Sequence, residues 1–86
     1  MTIALEIVSP EKLLLSRPVD MVVIPAEEGE MGVLPLHAPM IVTLREGVIR
    51  LYTNGAVTDE LRVSGGFAEV TPERVTVLAY AATAIN

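Results

Sequence analysis

The sequence has 86 residues, of which 51% are hydrophobic and only 3% aromatic, and its six basic and eleven acidic residues give a net charge of −5. This length predicts a single domain over residues 1–86, and the acidic balance argues against nucleic acid or an anionic membrane surface as the main partner. There is no cysteine, which excludes a disulfide framework and a thiolate metal site.

The apolar content is high for so small a domain. The mean hydropathy is +0.52, whereas a chain of this size buries only about 60–65% of the surface that its unfolded form exposes. We therefore expect either an unusually complete core or apolar surface that is available to a partner. No secretory signal and no apolar run near the roughly 18 residues of a spanning helix is visible, so we expect a soluble or peripheral protein without membrane insertion.

The first third of the chain predicts three strands. Residues 2–8 alternate, with Ile3, Leu5 and Ile7 on one face, which is typical of a half-buried strand. A turn at residues 9–11 leads into a short strand at residues 12–16, whose leucines are either covered on both sides or part of an interface. Pro18 is expected to separate this strand from the next one. Residues 19–24 predict a central strand that ends at Pro25.

Residues 29–40 form the least ordinary segment of the chain, because they hold two glycines, two prolines and the single histidine. Glycine permits backbone angles closed to other residues, and each proline fixes φ and favours an extended residue before it. This predicts a shaped loop with a short strand inside it. Its five large apolar side chains are too many for a solvated connector, and such loops often carry binding functions.

The remaining sequence predicts more strands separated by turns. They cover residues 40–45, 48–52, 57–63, 67–70 and 75–77. Asn54-Gly55 is the strongest hairpin signal in the chain. Gly65-Gly66 lacks the Gly-Lys-Ser/Thr of a phosphate loop and is interpreted as a tight hairpin turn. Alternation is lost over residues 78–85, and we expect the run of small residues at 80–84 to fray or to begin a helical turn. Short strands with such turns predict an all-β sandwich or flattened barrel without substantial helix.

Few residues in the sequence could act in catalysis or bind a metal ion. His37 would have to act with Ser9, Ser16 or Ser64, but none of these serines lies in a nucleophile-elbow pattern, so we expect no catalytic residues and no enzyme activity. From residue type alone, His37 is a loop histidine bonded to nearby backbone or, alternatively, an interface residue. With one histidine and no cysteine, we expect no metal and no cofactor.

The acidic residues Glu27, Glu28 and Glu30 lie close enough to share a cation. They lack the spaced oxygen ligands and the turn glycine of a calcium loop. A solvated acidic loop is therefore the preferred interpretation, and a metal site is the alternative.

Several motifs in the right order carry a family resemblance. Residues 29–39 read Gly-Glu-Met-Gly-Val-Leu-Pro-Leu-His-Ala-Pro, which closely resembles the Gly-Glu-x-Gly-Ile/Val-x-Pro-x-His-Ala-Pro segment of the epsilon subunit of F-type ATP synthases, called delta in mitochondria. Residues 5–11, 47–50, 63–70 and 75–79 resemble the opening strand, the Gly-x-Ile/Leu-Arg strand, the Ser-Gly-Gly-Phe-x-Glu-Val motif and the last strand. The match covers nearly the whole chain.

The resemblance implies a ten-stranded flattened β-sandwich that is a non-catalytic part of the rotor. It implies partners in the gamma subunit, the ring of c subunits and the alpha/beta/gamma/delta/epsilon catalytic sector, and a peripheral position on the cytoplasmic face of the bacterial inner membrane. Residue by residue, Glu30 and Met31 match positions that face the c ring, and Ser9 and His37 match positions on the gamma-facing side.

The chain ends at Asn86, where most bacterial members of this family continue with a two-helix domain. That hairpin is the part that inhibits ATP hydrolysis and, in some members, binds ATP. We therefore expect a short form, naturally lacking the hairpin, that couples rotation without self-inhibition. The alternative is a β-sandwich adaptor that binds another soluble partner.

Overall fold

A computed structural model describes residues 1–85 of the chain, and these residues form ten strands and no helix. The strands are β1 (Ile3–Val8), β2 (Leu13–Val19), β3 (Met21–Ala26), β4 (Gly29–Val33), β5 (Met40–Leu44), β6 (Gly47–Thr53), β7 (Ala56–Val63), β8 (Gly66–Val70), β9 (Arg74–Ala79) and β10 (Ala82–Ile85).

The strands form one curled sheet that folds into two layers. The first sheet has the order β4-β3-β6-β7-β10 and the second has the order β5-β8-β9-β1-β2. A single residue pair between β3 and β5, Ala26 with Leu44, joins them at one side. All neighbours are antiparallel except β1 and β9, which are parallel. The predicted all-β, ten-stranded flattened sandwich is confirmed.

One apolar core lies between the two sheets. Ile3, Leu5 and Ile7 of β1 are fully buried, as their alternation predicts, and Ile49 and Leu51 of β6 face them from the other layer. Among residues 1–85 no polar or charged side chain is buried. On the side away from the β3–β5 junction, Arg17 of β2 forms an ion pair with Asp59 of β7, which links the two layers.

The prediction that Pro25 ends the central strand is wrong, because β3 continues to Ala26. Pro25 lies where β3 changes partner: Met21–Val23 pair with β6, whereas the carbonyl of Pro25 accepts a hydrogen bond from the amide of Arg45 just after β5, at 2.9 Å. Proline has no N–H to offer to β6 at this point, so β6 separates from β3 without leaving an unpaired donor.

The prediction that β2 ends before Pro18 and that a new strand follows it is also wrong. β2 runs through Pro18, which lies opposite Ala4. Because the amide of Ala4 donates to Glu73 on the far side of β1, Ala4 and Pro18 form a pair without mutual hydrogen bonds, and the nitrogen of Pro18 faces the free edge of the sheet. A proline is tolerated there. Of the three leucines before it, Leu13 is 55% exposed and is not covered on both sides.

Gly65-Gly66 is not a hairpin turn, since β7 and β8 lie in different sheets. The pairs between β7 and β10 and those between β8 and β9 keep one continuous register, from Glu60–Ile85 to Val70–Val75. The segment 60–85 is therefore one long hairpin that bends at these glycines. β10 replaces the predicted fraying or helical turn, and Asn86 lies outside the described residues.

The Asn54-Gly55 hairpin is confirmed. Asn54 and Gly55 have φ values of 54° and 80°, as a type I′ turn requires. The register shifts between Leu51 and Tyr52, which inserts Thr58 as an extra residue in β7. Because of this bulge, the inward alternation of Val63 and Leu61 does not continue to Val57, whose side chain is 44% exposed.

Candidate interface surfaces on the sandwich

The segment 29–40 contains the predicted short strand and shaped loop, but the strand β4 lies at its start and the loop follows it. A two-residue turn at Glu27 and Glu28 closes the hairpin of β3 and β4, and residues 34–39 then lead to β5. Leu36 has a φ of 69°, which is rare for a leucine, and its amide donates to the carbonyl of Pro72 at 2.8 Å. The loop is thereby held against the turn between β8 and β9, and it presents Leu36 at 64% exposure.

Glu30 and Met31 are neighbours but point to opposite faces of β4. Glu30 lies on the outer face of the first sheet, where its carboxylate accepts a hydrogen bond from Arg50 of β6 at 2.8 Å. The same guanidinium donates to Glu60 of β7 at 3.2 Å. The hydrogen bond to Glu30, followed by the charge of Glu30, raises the pKa of Arg50 above its ordinary value, against a smaller opposing effect of desolvation.

Arg50 is a residue that the sequence analysis did not assign to the site. It occurs in the Gly-Val-Ile-Arg run at residues 47–50, and its outward position on β6 follows from the buried positions of Ile49 and Leu51. That it meets Glu30 depends on β3 lying between β4 and β6, which short-range patterns do not indicate.

Met31 points inward and packs against the core from its margin. It forms part of the wall of an open groove of about 230 Å³ between the β3–β4 turn and β5. The groove is lined by Ala26, Glu27, Glu28, Met31, Met40, Ile41, Val42 and Thr43.

Ser9 and His37 lie at opposite ends of the second sheet. Ser9 follows β1 where Val8 lies beside Leu78, and its hydroxyl accepts a hydrogen bond from the amide of Lys12 at 3.3 Å. His37 precedes β5, whose first residue pairs with Val70. The histidine ring nitrogen Nδ1 lies 2.8 Å from the carbonyl oxygen of its neighbour Ala38. This contact agrees with a loop histidine bonded to nearby backbone.

An apolar row crosses the outer face of the second sheet at the end where Ser9 lies. Phe67, Leu78, Val8 and Leu13 occupy paired positions on β8, β9, β1 and β2. Phe67 and Leu13 are 42% and 55% exposed, and the other two are half-buried. We call these four residues the apolar row. The composition predicted either an unusually complete core or exposed apolar surface. The sandwich has both, because its core is closed and the apolar row remains partly exposed.

The described part of the chain offers little else in the way of chemistry. Within residues 1–85 no three His, Cys, Asp or Glu side chains come together as a possible metal site. In the same range no helix is present that is long and apolar enough to cross a membrane. Of the three acidic residues considered for a cation, Glu30 is engaged by Arg50.

Comparison with known proteins gives matches along nearly the whole sandwich. The family described as ATP synthase, Delta/Epsilon chain, beta-sandwich domain matches residues 2–85. The ATP synthase epsilon chain of Granulibacter bethesdensis is 78% identical over 76 residues, which are 88% of this chain and 56% of that protein. The epsilon chain of Gluconacetobacter diazotrophicus is 54% identical over 86 residues, which are 100% of this chain and 61% of that protein. The chain thus spans little more than half the length of these curated relatives.

Two solved structures share the fold. A chain of the Euglena gracilis mitochondrial ATP synthase, in a structure of OSCP, F1 and the c-ring, superimposes with a TM-score of 0.87 at 30% identity, over 96% of this chain and 53% of that one. A chain from the central stalk and c-ring of the Tetrahymena thermophila enzyme gives 0.78 at 10% identity, over 96% and 66% of the two chains, which is a likeness of fold alone.

Proposed function

Because the chain belongs to the family of ATP synthase delta/epsilon chain β-sandwich domains, we propose that it is a non-catalytic rotor component of the central stalk of an F-type ATP synthase. In this role it binds the gamma subunit and seats the stalk on the c ring, and so helps to couple proton-driven rotation to ATP synthesis. As part of this complex, the proposed position of the chain is peripheral, at the cytoplasmic face of the bacterial inner membrane.

The observation that carries this proposal is the match of the whole sandwich to that family, together with 78% identity to an epsilon chain. The physical features of the surface support it. Among residues 1–85 the core holds only apolar side chains, and the exposed apolar row and loop residues Leu34 and Leu36 provide area that can be buried against another subunit.

We assign two regions of the surface to two different partner subunits. Glu30 and Met31, at the β3–β4 hairpin, belong to the surface that meets the c ring. Ser9 and His37 belong to the side that meets gamma. Ser9 and His37 lie at opposite ends of one sheet, so a single partner that contacts both must extend along the outer face of that sheet, which is where the apolar row lies.

We further propose that the sandwich by itself does not inhibit ATP hydrolysis. Residues 1–85 contain only strands and turns, whereas the inhibitory element that the resemblance implies is a pair of helices. When the purified 86-residue chain is added to F1 depleted of epsilon, the chain should bind to the gamma subunit. The ATPase rate of this F1 should stay unchanged within error. A dose-dependent fall in the rate would contradict this part of the proposal.

A pull-down tests the assignment to the stalk. The tagged chain is purified from its native membranes in mild detergent, and the bound subunits are identified by mass spectrometry. We expect gamma, alpha, beta and c subunits in constant proportion to the tagged chain. Recovery of a correctly folded chain without any of them would contradict the proposal and favour an adaptor that binds another soluble partner.

A further inference from the structure

The inner edge of β5 is an open sheet edge in the middle of the molecule. β5 pairs with β8 along its whole length, but on its other side it meets β3 only at Leu44. The carbonyl of Thr43 accepts from Glu27, and the amide of Arg45 donates to Pro25, both at 2.9 Å. These bonds show that the backbone groups of residues 43 and 45 point away from β8.

The two-residue period of a strand extends this direction to Ile41. The N–H and C=O of Ile41 and the N–H of Thr43 therefore face the groove, beyond the point where β3 turns away at Glu27. Within residues 1–85 these groups have no backbone partner across the groove. Unpaired edge groups of this kind accept an added strand from another chain.

The groove beside this edge has the size and lining for a short extended segment. Its volume is about 230 Å³, and Met31, Met40 and Val42 supply an apolar wall. Methionine adapts its shape to irregular partners. The exposed length of edge, residues 40–43, corresponds to about 13 Å of extended chain at roughly 3.3 Å per residue.

The charges at the groove select a basic partner. Glu27 and Glu28 line it and are exposed, and among residues 1–85 the ion pairs involve other carboxylates. Glu30, two residues after Glu28, is engaged by Arg50, so the carboxylates available to a cation at this groove are those of Glu27 and Glu28. A lysine or arginine beside the added strand would be favoured at this position.

We propose that the inner edge of β5 binds a short extended segment with a basic residue, which pairs with Ile41 through its backbone and places its basic side chain by Glu27 and Glu28. Resting on the proposed function, the occupant is a polar loop of a c-ring subunit, because the groove adjoins the hairpin that carries Glu30 and Met31. The contact to the ring is then a backbone contact at β5 as well as a side-chain contact at β4.

Amide hydrogen exchange in the assembled complex tests this proposal. Single-residue exchange rates are measured by mass spectrometry in the isolated chain, in F1 without the ring and in the complete enzyme. We expect the amides of Ile41 and Thr43 to exchange quickly in the first two and at least about tenfold more slowly in the complete enzyme. Ala84, at the outer edge of β10, serves as the control amide and should not change.

Other exchange results would contradict either the stated occupant, the edge pairing or the proposed function. Protection that already appears in F1 without the ring would assign the segment to gamma and overturn the stated occupant. Absence of protection in the complete enzyme would overturn the edge pairing, while co-purification of the ring would leave the proposed function intact. Failure of the ring to co-purify with the wild-type chain would instead count against the proposed function.

A pair of proline variants tests the direction of the edge. Ile41→Pro removes a donor that points into the groove, so the chain should fold and its binding to the ring should weaken about fivefold, the loss expected for one hydrogen bond. Val42→Pro removes a donor to β8 and should unfold the domain. Ile41→Val keeps the N–H and should bind like wild type. An unfolded Ile41→Pro chain or unchanged binding would contradict the proposal.

Discussion

Arg50 is the residue that gives the outer face of the first sheet its electrostatic character. Its guanidinium lies between the carboxylates of Glu30 and Glu60, so three charges on β4, β6 and β7 leave a net charge of −1. The raised pKa of Arg50 means that it contributes to stability at every pH below its unfolded value, and that this contribution is lost only as the pH rises through the still higher folded value. No pH dependence near neutrality arises from this group.

Reversal of the charge at Glu30 should separate stability from coupling. In Glu30→Lys a second cation faces Arg50, but both side chains are exposed enough to move apart, so the melting temperature of the isolated domain should change by less than about 5 °C. In membranes that carry this variant, ATP-driven proton pumping per ATP hydrolysed should fall, because the proposed contact of Glu30 with the ring would be weakened.

Two comparisons make that result specific. Glu30→Gln should have a smaller effect on pumping, and Glu73→Lys, on the exposed turn between β8 and β9 of the second sheet, should have none. An unfolded Glu30→Lys domain, or full coupling in its presence, would show that Glu30 has a different role.

At this scale the sequence predicts side-chain direction better than side-chain partners. The alternation around Ile3, Leu5 and Ile7 predicts their burial, and the same alternation places Glu30 and Met31 on opposite faces of a strand. It does not indicate that Glu30 meets Arg50, which is 20 positions away in sequence. The roles of Ser9, Glu30, Met31 and His37 remain predictions that rest on the family resemblance.

The bent hairpin of residues 60–85 is the element that turns one sheet into the next. Its register is continuous through the corner, so the sheet changes layer without losing strand pairing. Gly65 and Gly66 have φ values of 133° and 140°, in a region that favours glycine. A Cβ at Gly66 would also overlap the carbonyl oxygen of Leu78 on the facing strand. The corner therefore depends on the absence of a side chain at this position.

Gly66→Ala should destabilise the domain severely. Strain in the backbone and overlap with a backbone atom that cannot move aside should together cost at least about 3 kcal/mol. Urea unfolding followed by circular dichroism measures the loss. Gly32→Ala is the matched control, since a Cβ there meets only the sulfur of Met21 at an ordinary 3.7 Å, and it should change stability by less than about 0.5 kcal/mol. Equal midpoints for the two variants would contradict the account of the corner.

Turn signals predict local geometry but not which strands a turn connects. Asn54-Gly55 specifies its hairpin because the two residues alone set the twist of the turn. Gly65-Gly66 looks equally local in sequence, yet its conformation serves a contact with Leu78, more than ten residues away. Pro25 likewise stays inside a strand because two different partners meet there.

For the molecule as a whole, the two layers present different surfaces. The outer face of the first sheet carries the Arg50 ion pairs, and that of the second carries the apolar row. The second sheet also carries the Arg74–Glu6 ion pair, so the sandwich exposes both charged and apolar surface, which suits contacts with partners of different chemistry. This arrangement supports the proposed position between gamma and the c ring.

The charge distribution leads to a prediction about nucleotides. Of the six basic residues, Arg17, Arg50 and Arg74 are already engaged in ion pairs with carboxylates. The net charge of −5 opposes a polyanion, and Gly65-Gly66 is committed to the corner and is not free to hold phosphate. We therefore expect that the 86-residue chain does not bind ATP. Titration of ATP with magnesium into the chain in a calorimeter should give only the heat of dilution, as should magnesium chloride alone.

Saturable binding in the micromolar range would contradict this prediction and would mean that the sandwich holds a nucleotide site of its own. The expected negative result has a positive use. The curated relatives are longer than this chain, which covers 56% and 61% of the two most similar ones described above. If the sandwich does not bind ATP, we expect nucleotide binding, where such a relative shows it, to depend on the part of that relative that this chain does not match.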